Sequence, residues 1–309
     1  MRLQSLKQQF AGVIPPLVTP LADEYNLDFP GLGKLIGHVL KGGVHGLFIL
    51  GTTGEGPSLS LKLKYKMIEE STRIVSGRVP VLVGITDASF AESISLSKHA
   101  ADCGADAVVL APPYYFPSGQ AELLEYLEHI TPRLHLPLLL YNMPAMTKVD
   151  IGVETLLRAS EIDGIVGFKD SSCNMIRFHE YILAMKGNPA FSLLIGPEEL
   201  LAESVLFGGH GGIPGGANIF PELYVDMYNA SKEGDISAIL KLQGKIFILR
   251  KLYSCGQYAS SLIKGIKCAL NCLDICSDFM AEPFHSFGEE QRKEIIKVLI
   301  ELELKTPIV

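Results

Sequence analysis

Residues 164–172 read "GIVGFKDSS". A short unbroken apolar run such as Gly164–Phe168 suits a parallel strand covered on both faces, because neither side of the strand then meets water. The run is closed by Lys169 and Asp170, which places an ammonium group at the end of a hydrophobic segment. Two readings fit that lysine. It is either a desolvated amine available as a nucleophile or an interior lysine paired with a carboxylate, with Asp170 the obvious candidate.

Seven comparable runs flank it: "GVIPPLVTP" from Gly12, "HGLFILG" from His45, "VPVLVGI" from Val79, "ADAVVLAPP" from Ala105, "LPLLLYNMP" from Leu136, "FSLLIGP" from Phe191 and "GHGGIPGGAN" from Gly209. The last is Gly-rich and counts as a strand only because it falls where an eighth is due. Between the runs lie amphipathic segments with helix-start chemistry. "SLSLKLKYKMIEESTRIV" opens on serines, and Ser89 is followed by Glu92 in a capping-box pattern that ends at Gly104. Strand and helix alternate with a period of about 30 residues, so the expected fold is α/β, a (β/α)8 TIM barrel. A doubly wound sheet is the runner-up, but no G-x-G-x-x-G follows the first strand. After about residue 225 the strand signals stop. The expected division is a catalytic barrel over 1–225 and a C-terminal helical region over 226–309, with no function legible in the latter.

Composition excludes several classes. The 309-residue chain is 48% hydrophobic and 20% charged, with a net charge of −7. No basic footprint for nucleic acid is present, and no apolar run reaches the ~18 residues that a bilayer span needs. The segment from Met1 lacks the apolar core of a secretion leader, so a cytoplasmic protein is expected. Cys268, Cys272 and Cys276 recur every four residues. Thiols at that spacing climb about 6 Å per step along a helix and cannot meet at one ion, so they are expected to form a buried stripe, and no metal site is expected.

In a barrel of this kind chemistry sits at the C-terminal ends of the strands. Lys169 ends the sixth strand, Tyr141 and Asn142 the fifth, Tyr114 and Tyr115 follow the fourth, and "GTTGEG" (51–56) follows the second. The Gly-rich turn offers successive backbone N–H groups and two hydroxyls to an anion. It is equally a tight loop whose glycines serve geometry. A carboxylate suits it better than a phosphate, because it holds no lysine or arginine.

Five ordered motifs now carry a resemblance: "GTTGEGPSLS" (51–60), "PPYYFPS" (112–118), "YNMPAMT" (141–147), "GFKDSS" (167–172) and "GGHGGIPGGAN" (208–218). Together they resemble the dihydrodipicolinate synthase and N-acetylneuraminate lyase family, class I pyruvate-dependent aldolases on a (β/α)8 barrel with a helical C-terminal region. The resemblance implies that Lys169 condenses with the keto carbon of pyruvate and that Tyr141 moves protons at that carbon. It implies that Thr52 and Thr53 bind the pyruvate carboxylate, and that Thr53 also joins a hydroxyl relay. Tyr115 matches a relay tyrosine donated by a neighbouring subunit, while Gly196 and Ile213 match walls of the site. It further implies a homotetramer, a dimer of dimers, and a Schiff base on Lys169 with no metal or organic cofactor.

Three positions depart from the family pattern. Relatives that condense pyruvate with aspartate semialdehyde carry an arginine where Met146 stands here. Methionine offers only a weak acceptor, and loss of a charge-assisted partner costs about 1.5–3 kcal/mol. Lys148 stands where relatives commonly have glycine; it either approaches a substrate carboxylate or is a solvated loop residue. Pro197-Glu198 replaces the acidic pair that sialic acid lyases direct at sugar hydroxyls, leaving Glu198 as the candidate contact. The expected reaction is cleavage or condensation of a 2-keto acid, of 2-keto-3-deoxy sugar acid or 4-hydroxy-2-oxo acid type. Dihydrodipicolinate synthesis is the alternative, and a keto-acid-binding paralogue without turnover is a second.

Overall fold

A computed structural model describes residues 10–304; the segment Met1–Gln9, read above for a leader, lies outside them. The eight expected runs form one parallel sheet: β1 (Gly12–Val13), β2 (Leu47–Ile49), β3 (Val81–Gly84), β4 (Ala107–Leu110), β5 (Leu138–Asn142), β6 (Ile165–Asp170), β7 (Ser192–Ile195) and β8 (Gly211–Gly212). β2 to β8 pair in sequence order and β8 pairs with β1. A parallel bridge from Pro16 to Phe48 closes the ring between β1 and β2. The doubly wound alternative is therefore excluded. A short antiparallel hairpin, Leu21–Asp23 with Asn26–Leu27, precedes the first helix. It is too brief for a periodicity signal.

Burial on both strand faces explains the unbroken apolar runs. Phe48, Leu82, Val109, Leu139, Tyr141, Leu194 and Ile213 fill the barrel interior. The alternate residues Leu47, Val83, Val108, Leu140 and Leu193 meet the helices outside. The helix-start signals are realised. Ser60 Oγ accepts from Leu63 N at 3.3 Å before the helix Leu61–Val75, and Ser89 Oγ accepts from Glu92 N at 3.4 Å before Phe90–Asp102.

Beyond β8 the chain is helical. Pro221–Glu233, Ile236–Arg250, Ser261–Cys272 and Glu289–Glu301 follow one another, and the first of these runs through position 225. All three stripe cysteines are buried, but the helix ends at Cys272, so Cys276 sits past its end. No helix among the described residues is long and apolar enough to cross a membrane.

A buried ion pair helps to fasten the C-terminal helices to the barrel. Lys267, fully buried on the helix Ser261–Cys272, forms an ion pair with Glu55 of the Gly-rich turn. Its Nζ also donates to Phe279 O at 2.7 Å, and Glu55 Oε2 accepts from Ala281 N at 2.8 Å. Burial holds the Lys267 amine below the ordinary lysine range despite the opposing Glu55 carboxylate. Removing one partner of a buried pair leaves the other uncompensated. Lys267→Met is therefore expected to lose about 3–5 kcal/mol of unfolding free energy by urea titration. A loss under about 1 kcal/mol, as for an exposed pair, would contradict this anchoring role.

Candidate active site

Strand alternation alone would turn Lys169 out of the barrel. Val166 packs against the interior cluster, and strict alternation would bring Phe168 inward with it. Phe168 instead belongs to the outer core. The phase changes because the pairing of β5 with β6 slips: Leu138 faces Ile165, yet Leu139 faces Gly167. This bulge at Val166–Gly167 re-aims the residues that follow. Glycine is required there, since a Cβ at Gly167 would lie 2.9 Å from Ser192 Cβ and 3.0 Å from Ser192 O.

Lys169 consequently enters the barrel opposite Tyr141, its register partner on β5. Its Nζ lies 4.0 Å from the centroid of the Tyr141 ring and 5.0 Å from that of Phe48. The residue is 4% exposed. Burial holds its amine below the ordinary lysine range, against the smaller pull of the Tyr141 phenol. Burial by itself would raise the Tyr141 phenol. The charge of Lys169, together with hydrogen bonds to Thr52, Ser171 and Lys169, outweighs it and brings the phenol below its ordinary value.

The interior ion-pair reading of Lys169 fails. Asp170, one residue on, faces the opposite side of β6. Its carboxylate accepts from Asn142 Nδ2 at 2.8 Å, from Ser172 N at 3.2 Å and from Ser172 Oγ at 2.9 Å. Asn142 also donates to Asp150 at 2.9 Å and accepts from Ile151 N at 3.0 Å. The Tyr-Asn pair on β5 thus divides its work: Tyr141 faces the amine, and Asn142 ties strand ends and loop together outside.

A cavity of about 430 Å³ opens beside the Tyr141 and Phe48 rings that Lys169 faces; Thr52, Gly84, Thr86, Tyr114 and Met146 line it with them, and Lys169 itself is not among the lining residues. Thr52 Oγ1 stands 3.3 Å from the Tyr141 hydroxyl. The turn that presents it is bracketed by Leu50 and Glu55, both left-handed at φ 59° and 55°, a conformation that costs non-glycine residues energy and concentrates at functional sites.

The other expected site residues lie at different distances from this cavity. The hydroxyl neighbour of Tyr141 is Thr52, whereas Thr53 is buried and does not line the cavity. Tyr115 is 74% exposed and packs edge-on against Phe116, while Tyr114 lines the cavity. Lys148 is exposed with φ 62°. That backbone state is one that glycine adopts without steric cost, and the side chain does not line the cavity. Glu198 also stands apart. It is buried, with Oε1 accepting from Tyr224 and Tyr253 at 2.7 Å each and Oε2 from Gly216 N at 2.6 Å. Gly196 and Ile213 sit at the inner wall: Ile213 packs in the interior cluster with Tyr141, and a Cβ at Gly196 would fall 2.0 Å from Ser171 Oγ. Met146 does line the cavity, 48% exposed.

Other cavity residues carried no advance signal. Phe48 is one more apolar residue in an apolar run. Ala259, Ser260, Ile263 and Phe284 reach the cavity from the C-terminal region. For Lys267 a signal existed, since it shares a helix face with Ile263 and Leu270 at spacings of four and three residues.

Residues 9–302 match the dihydrodipicolinate synthetase family. The chain belongs to that family. It is 32% identical to a probable 2-dehydro-3-deoxy-D-pentonate aldolase of Escherichia coli K12, over 97% of this chain and 100% of that one. A solved dihydrodipicolinate synthase from Bacteroides thetaiotaomicron is 55% identical and superposes with a TM-score of 0.92, covering 94% and 98% of the two chains. An Escherichia coli K12 prophage protein of the same family, solved in complex with pyruvate, is 30% identical with a TM-score of 0.90 over 96% and 99%. The protein is a carbon–carbon lyase of this family.

The Glu198 cluster generates a pH prediction. Burial pushes its carboxyl up to about 6 from 4.5. A raised folded-state value means that the folded protein holds the proton longer than the unfolded chain. The contribution of Glu198 is then fully present below pH 4.5 and is lost as pH rises through 6. The unfolding free energy of the native protein relative to Glu198→Gln should fall by about 2 kcal/mol between pH 4 and 7. Urea titrations at the two pH values check this. A pH-independent difference, or altered use of the second substrate by the variant, would return Glu198 to the substrate site.

Proposed function

We propose that the protein is a Schiff-base-forming, pyruvate-dependent aldolase that cleaves or condenses a 2-keto acid, with Lys169 as its nucleophile. The observation that carries this reading is a buried amine with no carboxylate partner among the described residues, facing a phenol whose hydroxyl neighbours Thr52. Desolvation raises the fraction of neutral amine at a given pH. That amine attacks the keto carbon, and loss of water gives the imine. The imine then acts as the electron sink. In the cleavage direction, deprotonation of the C4 hydroxyl releases the aldehyde and leaves an enamine. Protonation of that enamine and hydrolysis return pyruvate and free Lys169. Tyr141 serves as general acid and base at the keto carbon, Thr52 and the backbone N–H groups of the turn hold the substrate carboxylate, and Thr53 supports the turn. The chemistry draws on no metal or organic cofactor.

Condensation with aspartate semialdehyde is not favoured, because Met146 replaces the charged partner its carboxylate needs. A binding paralogue without turnover is not favoured either, since a pure binder needs no proton-transfer pair. The assembly proposed is a cytoplasmic homotetramer, a dimer of dimers, in which Tyr115 reaches a neighbouring subunit's site. The exposure of the Tyr115–Phe116 pair supports that role.

Borohydride reduction in the presence of pyruvate is expected to leave a stable covalent mass on the Lys169 peptide, and no adduct at saturating pyruvate would sink the assignment. Lys169→Met should lose the adduct while remaining folded. Tyr141→Phe should retain the adduct, with turnover lowered about 10²–10⁴-fold, the usual worth of a positioned acid–base group.

A further inference from the structure

The half of the cavity away from Lys169 decides what the second substrate is. Its wall is built from two parts of the chain: Met143 and Met146 after β5, and Ile263 and Phe284 from the C-terminal region. Among the described residues no lysine, arginine or histidine lines the cavity; Lys169 adjoins it through the rings of Tyr141 and Phe48, which its Nζ faces. Glu55, the one carboxylate on the wall among the described residues, is engaged by Lys267 and by Ala281 N.

The hydroxyl groups there are largely engaged too. Thr147 Oγ1 lies 3.2 Å from Met143 O and 3.1 Å from Val149 O, and accepts from Val149 N at 3.4 Å. Thr86 Oγ1 accepts from Ala111 N at 2.9 Å. The Tyr114 phenol is hydrogen-bonded by the Ala88 backbone, and Ser58, which is exposed, and Ser260 remain among the described residues of that wall. A chain bearing a hydroxyl on every carbon would bury several donors and acceptors with too few partners, and a carboxylate would meet no cation. Two methionines add conformational freedom that lets the wall fit an irregular apolar group.

We infer that the distal chamber selects an uncharged aldehyde half with an apolar, ring-sized substituent, so that the substrate class is a 4-hydroxy-2-oxo acid carrying such a group on C4. This inference rests on the aldolase reading above and deepens it. Met146, Ile263 and Phe284 are its specificity-determining residues. It also gives the C-terminal region a role in the reaction: Phe284 and Ile263 form the outer wall of the substrate chamber, and the Glu55–Lys267 pair fixes that wall to the turn carrying Thr52.

The test measures kcat/KM for pyruvate release from three substrates: 4-hydroxy-2-oxo-4-phenylbutanoate, 2-keto-3-deoxygluconate and 4-hydroxy-2-oxoglutarate. Pyruvate–borohydride trapping is run on the same sample. The phenyl substrate is expected to exceed both polar ones by about tenfold or more, within the range that apolar pockets discriminate. Phe284→Ala should reduce its kcat/KM about tenfold by loss of the wall, and Phe284 is exposed enough (37%) for the variant to fold. Met146→Arg should move preference toward 4-hydroxy-2-oxoglutarate. An adduct on Lys169 combined with equal or better use of either polar substrate overturns the chamber inference and leaves the aldolase reading standing. An adduct with no cleavage of the phenyl substrate does the same. Absence of the adduct removes both.

Discussion

The site depends on one amine held inside a barrel with no counter-ion among the described residues. Lys169 meets two aromatic faces, Tyr141 and Phe48, where a structural lysine would meet a carboxylate. Burial there disfavours the ammonium form by more than the Tyr141 phenol favours it, and this gives the side chain its chemistry. It exists because β6 changes phase at Gly167: without the slip opposite Leu138–Leu139, Asp170 would face the interior and Lys169 the helices. The resulting alternation sends the carboxylate outward to Asn142 and the amine inward to Tyr141. One residue of register thus separates a salt-bridged lysine from a nucleophilic one.

Around that centre the chain arranges support at increasing distance. Tyr141 and Thr52 come from the ends of β5 and β2, where the barrel architecture exposes side chains to a common opening. The turn bearing Thr52 is strained at Leu50 and Glu55 and is held from behind by the buried Lys267. The C-terminal helices are therefore coupled to the substrate end of the barrel through a desolvated ion pair and through the cavity wall they complete. Glu198, by contrast, joins Gly216, Tyr224 and Tyr253 in a buried hydrogen-bonded cluster beside the barrel. Its task is to hold the loop after β8 against the helices that follow.

Much of this was legible in the sequence, and the limits have physical causes. The eight apolar runs located the strands because burial on both faces leaves no polar residue to mask them. Lys169 stood out because a charged group closing such a run needs a reason, whereas Tyr141 gained its role only from the family resemblance. Direction was not legible. Thr52 and Thr53 are adjacent in sequence but point differently once the turn bends, and linear order does not say which one reaches the phenol. Tyr114 and Tyr115 divide in the same way between cavity and surface. Glu198 followed a strand end, as a substrate contact would, but its three hydrogen-bond partners come from residues 18 to 55 positions away. The Glu55–Lys267 pair spans over two hundred residues, and only the position of Lys267 on an apolar helix face hinted at it.

The central claim is that burial, unrelieved by a carboxylate, keeps the Lys169 amine reactive. Its most direct test is the initial rate of pyruvate adduct trapping on Lys169 as a function of pH at limiting pyruvate. A rate rising with pH to a plateau, with its midpoint clearly below the ordinary lysine value of 10.5, is the predicted result. A midpoint at or above 10.5 would show an amine stabilised as the ammonium ion, and would contradict the account.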